Sequence, residues 1–199
     1  VGIYCGADRI NEFGTAFRAD YKGRGAKAGL YTKFIFDELE PFLKKRFQIS
    51  SFKEKSFAGF SLGGLSALDI AWNQPREFFK VGVFSGALWW RRRDYEDQDY
   101  NWDTGRLMHL QVQKGKHFPW LKFFFECGCL DETADRNNNG IIDSIEDTTD
   151  LIEDVKAIGY IDKQIHYTEL EYGGHNIETW ARAFPEFLRW GWGNSRLTG

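Results

Sequence analysis

Phe52-Lys53-Glu54-Lys55-Ser56-Phe57-Ala58-Gly59-Phe60-Ser61-Leu62-Gly63-Gly64, with the apolar stretch Leu65–Trp72 behind it, decides how this chain is read. Phe52 to Phe60 reads as a strand. Leu65 to Trp72 carries apolar residues at helical spacing and stops before Pro75, whose ring disfavours helix in the residue ahead of it. Between the two lies Gly59-Phe60-Ser61-Leu62-Gly63, a G-x-S-x-G pattern. Small residues on either side let the chain turn sharply enough to hold a serine hydroxyl exposed above a sheet. About 0.1 such matches would arise by chance in a chain of this size, so the pattern gains its weight from its place between strand and helix. The N–H groups that open the helix face the same point and suit a developing negative charge.

Outward from that junction, strand and helix signals alternate. Val1–Cys5 is short, apolar and β-rich and reads as a buried strand before the turn Gly6-Ala7-Asp8. From Tyr31 to Arg46, Phe34, Ile35, Leu39, Phe42 and Leu43 recur at helical spacing, with acids early and Lys44, Lys45 and Arg46 late, matched to the helix dipole. Phe79–Phe84 is a strand closed by Ser85-Gly86, and Trp89 to Lys116, polar and weakly periodic, reads as an excursion over the sheet. Leu121–Cys127 reads as a Phe-rich strand, Thr148–Ile158 as a helix stopped by Gly159, Ile165–Leu170 as a strand and Asn176–Trp190 as a closing helix. The alternation predicts an α/β domain over residues 1–199 with a mostly parallel sheet, its active loops at the carboxyl ends of the strands. Because Val1 runs straight into a strand-like segment, the reading also expects further strands upstream of it.

Composition narrows the partners. The 26 basic and 29 acidic residues give a formal charge of -3, which provides no basic footprint for nucleic acid. Arg91-Arg92-Arg93 is followed at once by Asp94, Glu96, Asp97 and Asp99, as in a solvated loop of mixed charge. No apolar run reaches membrane-spanning length, so no membrane partner is expected. Cys5, Cys127 and Cys129 cannot all pair within one chain, and Cys-x-Cys is too short for a typical zinc knuckle. Unpaired thiols point to a reducing compartment and a calcium-type loop points outside the cytoplasm, so localisation stays open.

A serine hydroxyl needs a base within hydrogen-bond reach and a third group to orient that base. Of the four histidines, His166 sits inside a strand and His109 and His117 in the polar excursion. His175 follows Tyr172-Gly173-Gly174 just after the last strand, on a loop able to present its ring over the sheet edge. It is the candidate general base. The candidate acid is Asp131, carried out of the carboxyl end of the strand before the last by Phe123-Phe124-Phe125-Glu126-Cys127-Gly128, with Glu132 as its rival.

Asp8-Arg9-Ile10-Asn11-Glu12-Phe13, Gly59 to Gly64, Phe84-Ser85-Gly86-Ala87, Cys127 to Glu132 and Gly173-Gly174-His175-Asn176 together resemble the esterase family that includes enterochelin esterase-like, feruloyl esterase and S-formylglutathione hydrolase-like enzymes. The resemblance runs from near Val1 to about Trp192. It implies an α/β-hydrolase fold, a small-molecule ester substrate, a triad of Ser61, Asp131 and His175, no catalytic cofactor, and the backbone N–H of Leu62 as one oxyanion donor. In such enzymes the second donor comes from a loop after an earlier strand, which here would precede Val1. Transfer of the acyl group to a sugar or other alcohol would use the same residues. A non-catalytic, calcium-stabilised binding domain of the same fold is the reading from another class.

One motif stands apart from the triad. Asp135-Arg136-Asn137-Asn138-Asn139-Gly140-Ile141-Ile142-Asp143-Ser144-Ile145-Glu146 puts side-chain oxygens at positions 1, 3, 5, 9 and 12 of a calcium loop, with glycine at 6. Asp135, Asn137, Asn139, Asp143 and Glu146, with the carbonyl of Ile141, are the candidate ligands of a structural calcium ion. An Asn-rich surface turn is the competing interpretation.

Overall fold

The computed structural model describes residues 1–193. Four strands, β1 (Ser56–Phe60), β2 (Lys80–Phe84), β3 (Lys122–Leu130) and β4 (Ile165–Gly174), form one parallel sheet in the order β1-β2-β3-β4. The helices are α1 (Arg9–Glu12), α2 (Ala28–Lys33), α3 (Glu40–Phe47), α4 (Leu62–Asn73), α5 (Trp102–Gly105), α6 (Leu107–Gln113), α7 (Asp143–Ala157) and α8 (Ile177–Trp192). A π-helical stretch, Phe34–Leu39, joins α2 to α3. Among the described residues no helix is long and apolar enough to cross a membrane.

The strands separate their side chains by alternation, as a pleated backbone must. Phe123 and Phe125 of β3, with Val81 and Val83 of β2, pack with Leu65 and Leu68 of α4 and Leu151 and Val155 of α7. Phe84 and Phe124 point the other way and pack with Ala183 and Phe187 of α8. Both faces are thus covered, as a parallel sheet requires. Helix α4 is buried nearly all round, from Gly64 through Trp72, so it is apolar on every side. Its one charged residue, Asp69, is saturated: it accepts from the backbone N–H of Ala16 at 2.8 Å, from Gln111 at 2.7 Å and from Asn73 at 3.1 Å. Burial nevertheless pushes its carboxyl up to about 6. Through Asp69, and through Ser66 Oγ accepting from Gly14 N–H at 2.9 Å, the chain ahead of β1 is tied across α4.

Three expectations change. Val1–Cys5 forms no strand: Ile3 and Cys5 lean on the core while Tyr4 is fully exposed, and no ladder partner lies beside them. β1 begins at Ser56, because only from there does it pair with β2. The stretch Trp89–Lys116 is not an excursion over the sheet, since it holds α5 and α6, and Leu107, Met108 and Val112 are in the core. Its polar residues are carried inside by pairing. Arg106 is buried between Asp147 at 2.6 Å and Asp150 at 2.7 Å, and fully buried His109 sets Nε2 2.9 Å from the Asp147 carbonyl. The parallel sheet, the strand–helix pairs β1–α4, β3–α7 and β4–α8 and the helical character of 31–46 agree with the sequence reading.

The turn out of β1 depends on close packing of backbone against backbone. A Cβ at Gly59 would overlap the carbonyl of Gly63, whereas one at Gly63 would meet only Phe13, at 3.8 Å. Gly59→Ala is therefore expected to cost about 1–3 kcal/mol, lowering the melting temperature by roughly 5 °C. Gly63→Ala, inside a helix, should be neutral or slightly stabilising. Thermal unfolding followed by circular dichroism checks both, and a Gly59→Ala protein melting with the wild type would contradict this account of the turn.

Candidate active site

Ser61 caps α4 directly after β1, with φ 56° and ψ -124°, a conformation that side-chain-bearing residues rarely adopt. Four backbone hydrogen bonds hold it there. Its N–H donates to the Phe84 carbonyl at 2.9 Å, and its carbonyl accepts from Gly64 at 3.0 Å, Leu65 at 3.2 Å and Ala87 at 3.1 Å. None of these bonds uses the hydroxyl. Leu62, the next residue, has its N–H in the first turn of α4, where no intrahelical acceptor exists.

His175 comes from the far side of the sheet. β3 and β4 run on past the last paired residue of β2, Phe84, and a register shift at Gly128/Leu130 bends them. The loop after β4 then brings His175 Nε2 to 2.9 Å from Ser61 Oγ, a contact between residues 114 apart in sequence. Asn176 accepts from Thr179 N–H at 3.0 Å and caps α8, while Thr179 Oγ1 accepts from Gly174 N–H at 3.0 Å, so both sides of His175 are tied down. Trp180 closes over it. Its ring meets the imidazole edge-to-face with centroids 5.2 Å apart, stacks on Phe60 at 5.2 Å, and donates its indole N–H to Ser85 Oγ at 2.9 Å.

Asp131 sits in the turn after β3, its N–H bonded to the Gly128 carbonyl at 3.1 Å. Its carboxylate is 1% exposed and lies 3.9 Å from His175 Nδ1, beyond hydrogen-bond length. Neither of its oxygens has a hydrogen-bond partner. The rival, Glu132, turns instead toward Ser144 at the start of α7; burial raises its pKa, with hydrogen bonding from Ser144 opposing. The other histidines are engaged elsewhere: His109 as above, His117 edge-on to Tyr160 at 4.5 Å, and His166 paired with Glu186 at 2.8 Å. Trp90 is wholly buried against Gly14 and Gly25, and Trp89 packs under Arg24 at 4.9 Å.

Two residues here were not picked out from sequence. Trp180 falls on the helix face that includes Ala183, Phe184 and Phe187, so its periodicity already placed it inward. Glu126 is a carboxyl in the middle of the apolar run Phe123-Phe124-Phe125-Glu126-Cys127, and an acid inside a buried strand is itself a signal. It is 1% exposed, and burial followed by the charge of Asp131 pushes it up to about 8, partly offset by the Ser85 backbone N–H.

The residues of the calcium-type loop fold onto one another. Asp135 accepts from the N–H of Asn139 at 3.1 Å and of Gly140 at 2.8 Å, and Asn139 Oδ1 accepts from Ile141 N–H at 2.8 Å. Gly140, at φ 86°, makes the bend. Glu146, on the first turn of α7, accepts the side-chain amides of Asn137 at 2.8 Å and Asn139 at 2.6 Å. Arg136 is the cation present: it pairs with Asp143 at 3.1 Å, Glu146 at 3.2 Å and Asp147 at 2.7 Å, over the Trp102 ring at 4.1 Å. Among the described residues, no three His, Cys, Asp or Glu side chains converge on one metal position.

The family model described as "Putative esterase" matches residues 6–190. The chain belongs to this esterase family. No curated protein matches it. Among solved structures, this esterase chain is similar to siderophore hydrolase EstB from Aspergillus nidulans, at TM-score 0.64 and 17% identity over 93% of this chain and 64% of that one. It is similar to the BES protein from Bacillus cereus at TM-score 0.61 and 20% identity, over 95% and 65% of the two chains. Enterochelin esterase from Shigella flexneri matches at TM-score 0.57 and 21% identity, over 78% of this chain and 35% of its own. The chain thus spans about a third of the enterochelin esterase, and these likenesses establish the α/β-hydrolase-type fold.

Proposed function

We propose that this chain carries the catalytic centre of a serine carboxylic ester hydrolase acting on small-molecule esters. The contact of 2.9 Å between His175 Nε2 and Ser61 Oγ, made on a strained strand-to-helix turn, carries the reading. Membership of the esterase family and the esterase and hydrolase names of structural relatives support it. As Ser61 Oγ bonds to the ester carbonyl carbon, its proton passes to His175 Nε2, and the carbonyl oxygen becomes an oxyanion to which Leu62 N–H donates. Collapse breaks the bond to the alcohol oxygen, which takes the proton from His175 and leaves an acyl group on Ser61. Water then attacks, gives its proton to Nε2, and the acid departs as Ser61 recovers its hydrogen. Asp131, 3.9 Å from Nδ1 in the free chain, is assigned to accept from Nδ1–H and stabilise the imidazolium once substrate is bound.

We further propose that the 135–146 loop takes calcium as a structural ion, with Asp135, Asn137, Asn139, Asp143, Glu146 and the Ile141 carbonyl as ligands. Gly140 at positive φ and Glu146 reaching both asparagine amides fit that role. The oxygens of Asn137 and Asn139 accept from the backbone N–H of Asn139 at 3.1 Å and of Ile141 at 2.8 Å, so the loop would rearrange to turn them to the ion. Arg136 holds Asp143 and Glu146 in its absence and would yield to the stronger cation.

Ser61→Ala should lower kcat/KM on p-nitrophenyl acetate by at least about 10³-fold; unchanged hydrolysis would end the esterase reading. Millimolar calcium should raise the melting temperature by about 2–4 °C for each kcal/mol of binding. Glu146→Ala should abolish that rise, and identical melting of the wild type in calcium and in chelator would overturn the metal reading.

A further inference from the structure

Glu126 lies on β3 and Asp131 in the turn that follows it, folded back beside Gly128. Phe124 packs under α8, so Glu126 and Gly128, two and four residues on, point to the same side. A Cβ at Gly128 would meet the Gly173 carbonyl first, at 2.4 Å, and then Asp131, whose Oδ1 lies 2.8 Å from where that Cβ would stand, so the Asp131 carboxylate is close to Gly128. Alternate residues on a strand are about 6.5–7 Å apart, within the span of a glutamate side chain. Both carboxyls are 1% exposed, and none of their four oxygens has a hydrogen-bond partner.

Two bare carboxylates enclosed together are costly, and the cost falls away if one keeps its proton. Asp131 is the one that faces a forming cation, because His175 lies on its open side. Glu126 lies deeper. Beside it, β2 contributes the backbone N–H of Ser85, which donates to the main-chain carbonyl of Glu126 at 2.7 Å, and β4 contributes uncharged Thr168 opposite in register. Asp131 is the charge it feels.

We infer that Glu126 is a positioning residue: it stays protonated at neutral pH and donates its O–H to Asp131, fixing one carboxylate oxygen so that the other is aimed at His175 Nδ1. The proton remains on Glu126 throughout the reaction, and the acyl chemistry is otherwise unchanged. A hydrogen bond of this kind supplies Asp131 with the donor it otherwise lacks. Raising the pH through Glu126's own titration, at about 8, removes the donor and sets a second anion against Asp131, so turnover declines on the alkaline side.

This inference rests on the esterase reading, and its test separates the two. The ¹³C side-chain carboxyl resonance of Glu126, assigned by its loss in Glu126→Gln, should titrate near pH 8 in the whole chain; that readout needs no activity. In parallel, Glu126→Leu should lower kcat about tenfold, the size of one lost hydrogen bond, with KM nearly unchanged. Glu126→Gln, which restores an N–H donor but cannot ionise, should recover most of that loss at pH 7 and remove the alkaline decline. A carboxyl titrating in the ordinary glutamate range, or a Glu126→Gln enzyme that keeps the wild-type alkaline limb, would overturn the inference.

Discussion

Everything at this site depends on the strained backbone of Ser61. A side-chain-bearing residue at φ 56° costs about 1–3 kcal/mol, and it persists only because its surroundings over-determine it. The four backbone hydrogen bonds around Ser61 do so, and two of them come from the end of β2 and the turn after it. The elbow is therefore a property of the β1–β2 pairing, with Phe60 registered to Phe84, and not of five residues in isolation. Gly59 is what lets β1 and α4 approach closely enough for it to form.

The second half of the site is delivered by strand length. β3 and β4 outrun β1 and β2, with a register shift at Gly128/Leu130, and the loop after β4, three strands away, meets Ser61. Trp180 then spans the gap, linking Phe60, Ser85 and His175 in one packed unit. Farther out, Arg106 and Arg136 share Asp147 and so bind α6, α7 and the 135–146 loop together. Such buried ionic groups add little net stability, but removing one partner would strand the others, which fixes how these pieces sit.

Much of this was legible in the sequence, for identifiable reasons. Gly59–Gly64 and Gly173–His175 announce themselves because tight turns admit few residues, and the strands β2 and β3 are marked by short apolar runs. Val1–Cys5 misled because an apolar run predicts burial, whereas a strand also needs a neighbour to pair with. The Trp89–Lys116 segment misled because Arg106 and His109 are polar by composition yet buried by pairing with α7, a long-range fact that no local window contains. Glu126 carried a signal, an acid among phenylalanines, whose meaning appears only once Asp131 is seen folded back over Gly128.

The central claim is that Ser61 attacks and is acylated. A fluorophosphonate ester, which reacts with an activated serine and mimics the tetrahedral state, tests it most directly, with mass spectrometry of the intact chain and of its peptides. The account predicts one adduct per chain, on Ser61, formed rapidly at pH 8 and slowed when His175 is replaced by alanine. No adduct, or an adduct at another residue with Ser61 untouched, would contradict it.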